Sequence, residues 1–179
     1  MMKIAVRVWF AMTSRAMADS RIERMLDRYL ALSQKIDGDC GSMPVTVPAM
    51  PGVDEDMRNW SFYMLLEHHA IVNRSITSIM QSMVLNQQPS GAGDIDPKKD
   101  VMPSATAGPE IIDAFQQSIV DHLKSVGQMN RLRGTLKSRH PLFGNFNAHD
   151  WHCMFGFHLM VHYKQAKLVI QKACAESNG

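Results

Sequence analysis

Apolar residues recur at spacings of three and four, the period of one helix face, in four long stretches of the chain. The first covers residues 14–36. There Ile22, Met25, Leu26, Tyr29, Leu32 and Ile36 form a stripe, and Arg21, Arg24, Asp27 and Arg28 lie mostly off it. Gly38 ends the stretch, as glycine tends to. The second covers residues 54–87. Asp54, Glu55 and Asp56 suit the positive end of a helix macrodipole, Trp60, Met64, Leu65, Ile71, Val72, Ile76, Ile79, Met80 and Met83 are apolar, and Pro89 and Gly91 stop the run. The third opens at Pro109 and Glu110, carries Ile112, Phe115, Ile119, Leu123, Val126 and Leu136, and is broken by Pro141 and Gly144. The fourth opens at Asn147, with Asp150 three residues on in a capping-box-like arrangement. It carries Trp151, Phe155, Leu159, Tyr163, Ala166 and Ile170.

The breaks are equally informative. Residues 39–52 hold Pro44, Pro48 and Pro51 and are incompatible with a helix. Residues 89–108 form a polar linker of Pro, Gly, Ser and Asp, long enough to cross a bundle end or to line a site. No useful strand-like alternation and no internal repeat occurs. Four helices with apolar faces predict an all-α four-helix bundle, and the two longer connections leave the helix order open.

The length of 179 residues fits a single domain, read as residues 14–176 with an N-terminal arm at 1–13. The arm is apolar and Ala16-Met17-Ala18 resembles a cleavage site, but Arg7 interrupts the apolar run and Arg15 adjoins that site, which argues against a signal peptide. A formal charge of +2 offers no electrostatic case for nucleic acid or an anionic membrane. No uncharged apolar run is long enough for a transmembrane helix. The 3 cysteines, Cys40, Cys153 and Cys174, show no short spacing, so neither a disulfide framework nor a cysteine zinc motif is expected and a reducing cytoplasm fits best.

The 8 histidines are the compositional signal that needs an explanation. His158 and His162 stand four apart on the fourth helix, so both imidazoles can reach one metal ion. Random placement of this many histidines yields roughly 0.35 such pairs, so the spacing alone is weak. The face matters more. Trp151, Phe155, His158 and His162 step by four, three and four, which turns both histidines toward the core. A core-facing imidazole must find a hydrogen-bond partner or a metal. His68 and His69 on the second helix are the nearest further ligands in kind, and periodicity does not choose between them. His122 reads as a rim or satisfied core residue, and His140, His149 and His152 as loop or surface groups near a helix end. Glu67 diverges from His68 by about 100° and reads as a solvated or outer-sphere carboxylate. Tyr63 and Asn73 are further outer-sphere candidates. Cys153 diverges from His152 in the same way, which argues against a Cys/His nucleophile. Nucleophile-elbow, phosphate-loop and dinucleotide motifs are absent.

Two stretches carry a family resemblance. One is Trp60-Ser61-Phe62-Tyr63-Met64-Leu65-Leu66-Glu67-His68. The other is His140-Pro141-Leu142-Phe143-Gly144, then Trp151, then His158-x-x-x-His162. In this order they resemble the DinB-like superfamily of metal-binding four-helix bundles, over residues 14–174. The resemblance implies an up-down-down-up bundle, often dimeric, and a divalent metal, zinc or nickel, on His68, His158 and His162. It thus selects His68 over His69. Some relatives are thiol transferases. The doubled His68-His69 and the proline-rich first connection depart from the pattern.

Three neutral imidazoles leave a bound ion with its full charge and an open position, the arrangement of a catalytic site. The expected function is therefore a metal-dependent hydrolase or thiol transferase acting on a small molecule, as a homodimer. The alternative is a non-catalytic helical binding or stress-related module whose histidine cluster is structural or vestigial. A metal store is disfavoured, because acidic ligands are not concentrated near the one compact histidine cluster.

Overall fold

The computed structural model describes residues 2–36, 38–87 and 100–176. Four long helices make the body: α2 (Arg15–Ser33), α4 (Phe62–Val84), α5 (Ile111–Gln128) and α6 (Ala148–Glu176), preceded by α1 (Met2–Met12) and the short α3 (Gly38–Ser42). Helix α4 packs on α5 and α6, and α2 packs on α6 and α5, so each long helix is covered on two sides. The core between them holds Tyr29, Leu65, Leu66, Met80, Phe115, Ile119, Phe155 and Leu159, all fully buried.

Local chemistry sets the helix ends. Ser14 and Ser61 sit in extended conformation ahead of α2 and α4, and their hydroxyls accept the amides of Met17 and Met64. At α6 the capping box forms in both directions: Asn147 Oδ1 accepts the Asp150 amide at 2.9 Å and Asp150 Oδ2 accepts the Asn147 amide at 3.1 Å.

The second helix starts eight residues later than its acidic signal suggests. Residues Glu55–Met57 form a single 3-10 turn, and Asn59–Trp60 is strand β2, paired antiparallel with β1 (Val45–Thr46). Trp60 is thereby held in extended backbone ahead of the Ser61 cap. The third helix stops at Gln128, well short of Leu136. Arg15 explains the stop: its guanidinium donates to the carbonyls of Met129, at 2.8 Å, and Val126, satisfying acceptors that helix ends leave open. The proline-rich first connection contains the helical turn α3 ahead of its first proline. At Gly41 in that turn, any side chain would run into the Tyr63 ring.

Two further expectations are corrected. Strands do occur, as two short hairpins, because two-residue and three-residue pairs are too brief to show alternation. The second hairpin, β3 (Ser138–His140) with β4 (Gly144–Phe146), turns through Gly144 at φ 82°, a conformation that favours glycine. A disulfide also joins Cys40 to Cys174, 134 residues apart, tying α3 to the end of α6. Sequence spacing could not reveal it, because the fold brings the two ends together. The cysteine-count argument for a reducing compartment falls with it. Cys153 is free and buried.

The N-terminal stretch is helical and packs on α6, with Phe10 and Val6 buried and Arg7 donating to the Phe143 and Asn145 carbonyls. Among the described residues, no helix is long and apolar enough to cross a membrane.

A cross-link closing so long a loop removes much unfolded-chain entropy. Cys40→Ser with Cys174→Ser is expected to lower unfolding stability by about 2–5 kcal/mol in urea titrations, matched by reductant on the wild type and without effect of reductant on the variant.

Candidate metal centre

The His68 ring leaves α4 beneath Trp60, whose ring centroid lies 5.1 Å away. His158 and His162 leave successive turns of α6. One ligand nitrogen from each of the three lies within 4.8 Å of the other two. His68 and His162 are buried and His158 is half-buried.

Hydrogen bonds assign the tautomers. His68 Nδ1 meets the Val101 carbonyl at 2.7 Å; a carbonyl only accepts, so Nδ1 carries the hydrogen. Burial pushes His68 down to about 4, with His162 contributing a smaller effect, so the ring is neutral near pH 7 and its Nε2 bears a lone pair. His162 Nδ1 lies 2.9 Å from Gln165 Oε1. The Gln165 amide cannot be reversed, since its Nε2 donates to the Met57 carbonyl at 2.6 Å. His162 therefore also donates through Nδ1 and leaves Nε2 bare. Its proton affinity is lowered by burial, partly offset by the Gln165 bond and the Asp54 charge.

The remaining contact is diagnostic. His68 Nε2 and His158 Nε2 are 3.1 Å apart. His68 cannot donate there, so the gap must hold either the His158 proton or a cation. Two nitrogens on a tetrahedral zinc at about 2.0–2.1 Å stand about 3.3–3.4 Å apart, close to the observed separation. His158 Nδ1 is buried without a hydrogen-bond partner. Donor type, tautomer and spacing thus fit a divalent ion of imidazole preference.

His69, the alternative ligand, points elsewhere. Its Nε2 meets Tyr29 Oη at 2.8 Å, and that hydroxyl donates to the Leu159 carbonyl at 3.1 Å, so His69 is the donor to Tyr29. Its Nδ1 is buried and unpartnered, and its ring stands 5.0 Å from that of His158.

The other expected positions divide. Glu67 accepts the Ser104 amide at 2.7 Å and braces the linker that carries Val101. Asn73 donates to Ser118, away from the three rings. His122 is a satisfied core residue between Thr77 and His152, at 2.8 and 3.0 Å. His149 and His152 are fully interior rather than surface groups. His152 Nε2 lies 3.0 Å from Asp19 without a hydrogen-bond partner, and His149 Nε2 accepts from the Arg133 guanidinium at 2.8 Å. They sit in the first turns of a helix that α1 and α2 cover, which proximity to a helix end does not reveal. His140 is half-buried, and its Nδ1 accepts the amides of Leu142 and Phe143. Gln165 and Val101 escaped the sequence reading. A glutamine three residues after a candidate ligand histidine is a usable signal; a backbone carbonyl carries none.

A cavity of about 280 Å³ opens onto His68, His158 and His162. Met57, Val72, Ile76, Trp151 and Met154 make much of its wall, and the β3–β4 hairpin overhangs it.

No family model and no curated protein matches the chain. Among solved structures, it is similar to TT2238, described as a four-helix bundle protein, with a TM-score of 0.60 at 19% identity. The match covers 84% of this chain and 96% of that one. The likeness establishes a helical-bundle fold.

Stability should depend on pH through these neutral rings. Burial holds His68, His140 and His152 at about 4 in the fold, against 6.5 when exposed. Between those values the unfolded chain binds more protons, so stability rises with pH. Urea unfolding of the metal-free chain should show stability fully present above pH 6.5 and falling steadily toward pH 4; a flat profile would refute neutral burial.

Proposed function

We propose that the chain is a metal-dependent enzyme of the DinB-like type, holding a divalent ion, zinc or nickel, on His68, His158 and His162, and acting on a small molecule as a hydrolase or thiol transferase. The observation that carries this reading is the pair of locked tautomers. Val101 and Gln165 each take the Nδ1 hydrogen of a ring and leave its Nε2 bare on the same small space. Two carbonyl oxygens are thereby spent on orienting rings, the usual support of metal-bound histidines. When bound, the ion would supply Lewis acidity, lowering the pKa of a water or thiol so that a nucleophile exists at neutral pH. The chain supplies orientation and a chamber whose apolar walls exclude water. Three neutral ligands leave the ion's charge undiminished. The up-down-down-up order and a homodimer belong to the same reading.

The 3.1 Å contact between His68 and His158 also admits a proton, which favours a second reading as a non-catalytic helical module. Metal content separates the two. The chain purified without an affinity tag should carry about one divalent ion per molecule by elemental analysis, and a chelator should lower its melting temperature. His158→Ala should abolish metal content while leaving the helical circular-dichroism spectrum in place. Unchanged metal content in that variant, or a metal-free wild type with a chelator-insensitive melt, would leave only the module.

A further inference from the structure

One imidazole of the cavity wall takes no part in the proposed metal centre. His140 stands at the end of β3, and its ring lines the cavity that opens onto His68, His158 and His162. Three buried aromatic rings flank it: the centroids of Phe143, Phe146 and Trp151 lie 5.1, 5.1 and 5.2 Å from its own. Phe143 and Trp151 line the same cavity, and the His140 ring is near enough to bear electrostatically on His158.

Hydrogen bonds fix the state of this ring. Its Nδ1 accepts the amides of Leu142 at 3.1 Å and Phe143 at 3.3 Å, so it bears a lone pair. Protonation there would break both bonds and open the hairpin turn. A neutral imidazole carries one hydrogen, which must therefore sit on Nε2. Burial holds the ring neutral, down to about 4. Among the described residues nothing accepts the Nε2 hydrogen, and Nε2 is not sealed off from open space as the orphaned nitrogens of His69 and His158 are. His140 is thus a standing donor and not a general base, because the nitrogen free to meet a ligand already carries its hydrogen.

Polar groups nearby are already committed. Trp151 Nε1 donates to Ser138 Oγ at 2.7 Å, and the Val101 carbonyl takes the His68 hydrogen. The rest of the wall around His140 is apolar, through Leu142, Phe143, Met154 and Phe157. An oriented N–H in such a wall favours a ligand that brings an oxygen to it. A ligand without one strips water from the donor and leaves it unpaired.

We infer that His140 contacts the ligand in this cavity, donating through Nε2 to an uncharged oxygen acceptor, such as a carbonyl, on a small and largely apolar molecule. The inference rests on the cavity being the substrate chamber of the proposed metal centre, and it narrows that reading to neutral carbonyl compounds. In this role the ring stabilises negative charge developing on the oxygen without giving up its proton.

Trp151 lines the cavity, so tryptophan fluorescence reports occupancy. The full-length chain is treated with chelator and titrated at neutral pH with acetophenone and α-methylstyrene, which share a shape and differ by C=O against C=CH2. His140→Asn separates the two roles of the ring. The asparagine oxygen stands where Nδ1 stood and keeps an acceptor for the Leu142 and Phe143 amides, while the Nε2 donor is gone. The variant should keep the wild-type melt, bind acetophenone about two- to ten-fold more weakly, the loss of one hydrogen bond, and bind α-methylstyrene unchanged. The infrared carbonyl stretch of acetophenone on the wild type should lie below its frequency in cyclohexane, a reading that needs no variant, and should return toward that frequency in His140→Asn.

Equal weakening of both probes makes His140 a part of the wall's shape alone and overturns the contact. So does undiminished acetophenone binding in His140→Asn, or an unshifted stretch on the wild type. Acetophenone binding seen only after zinc is restored, and insensitive to His140→Asn, assigns the oxygen to the ion and likewise overturns it. Failure of both probes to bind overturns the chamber. Elemental analysis of the chain before chelation tests the metal separately: a wild type without metal that still shows the ketone-selective loss refutes the centre and keeps the contact.

Discussion

An imidazole placed between helices has to stay neutral, and once neutral it has one nitrogen that must donate and one that must accept. That requirement organises the middle of this bundle. A charged ring in the core would lose its hydration without a counter-charge, a cost far above that of an unpaired neutral group, which is about 1–3 kcal/mol. The described residues answer with oxygen acceptors: a carbonyl for His68, an amide oxygen for His162 and a hydroxyl for His69. Each acceptor decides which nitrogen of its ring is bare. The rings of His68 and His162 share one small space with His158, and the proposed metal centre rests on that coincidence.

The irregular segments matter more to this arrangement than their brevity suggests. The α6 backbone delivers two rings on one face, but it does not set their tautomers. That falls to Val101, carried in by the linker after α4, and to Gln165, whose orientation is locked by the Met57 carbonyl in the first connection. Glu67 braces the linker through Ser104. The disulfide holds α3 against the end of α6, and Arg15 closes the end of α5. A second set of histidines, 122, 149 and 152, is buried near α1 and α2, where His122 bonds Thr77 and His152 and Arg133 donates to His149. Polar core residues of this kind serve packing, and they explain why a histidine-rich composition by itself does not count ligands.

Much of the fold could be read from residue order. The four apolar stripes correspond to α2, α4, α5 and α6, and the Asn147/Asp150 capping box starts α6 where the pattern placed it. The acidic run at 54–56 misled, because three carboxylates suit a 3-10 turn as well as a helix start. The true start follows the Ser61 cap, after Trp60 has paired in a strand. Leu136 misled because apolar side chains beyond a helix can still be drawn toward the core, as Met129 and Leu132 are. The four-residue spacing of His158 and His162 was legible because it is a property of one helix. The disulfide and the hairpins were not, since each joins segments whose meeting depends on the path of the chain between them.

The choice between His68 and His69 marks the boundary most clearly. Consecutive residues on a helix diverge by about 100°, and a helix covered on one side would bury only one of them. Helix α4 is covered by both α5 and α6, so both rings lie inside, one toward the α6 pair and the other toward Tyr29 on α2. Residue order by itself determined the helices, their caps and the inward pair on α6, because those depend on neighbours a few positions away. Only the tertiary structure decided which third ring joins that pair, which nitrogens stay bare and which cysteines meet, because these depend on how far each helix is rotated against partners distant in sequence.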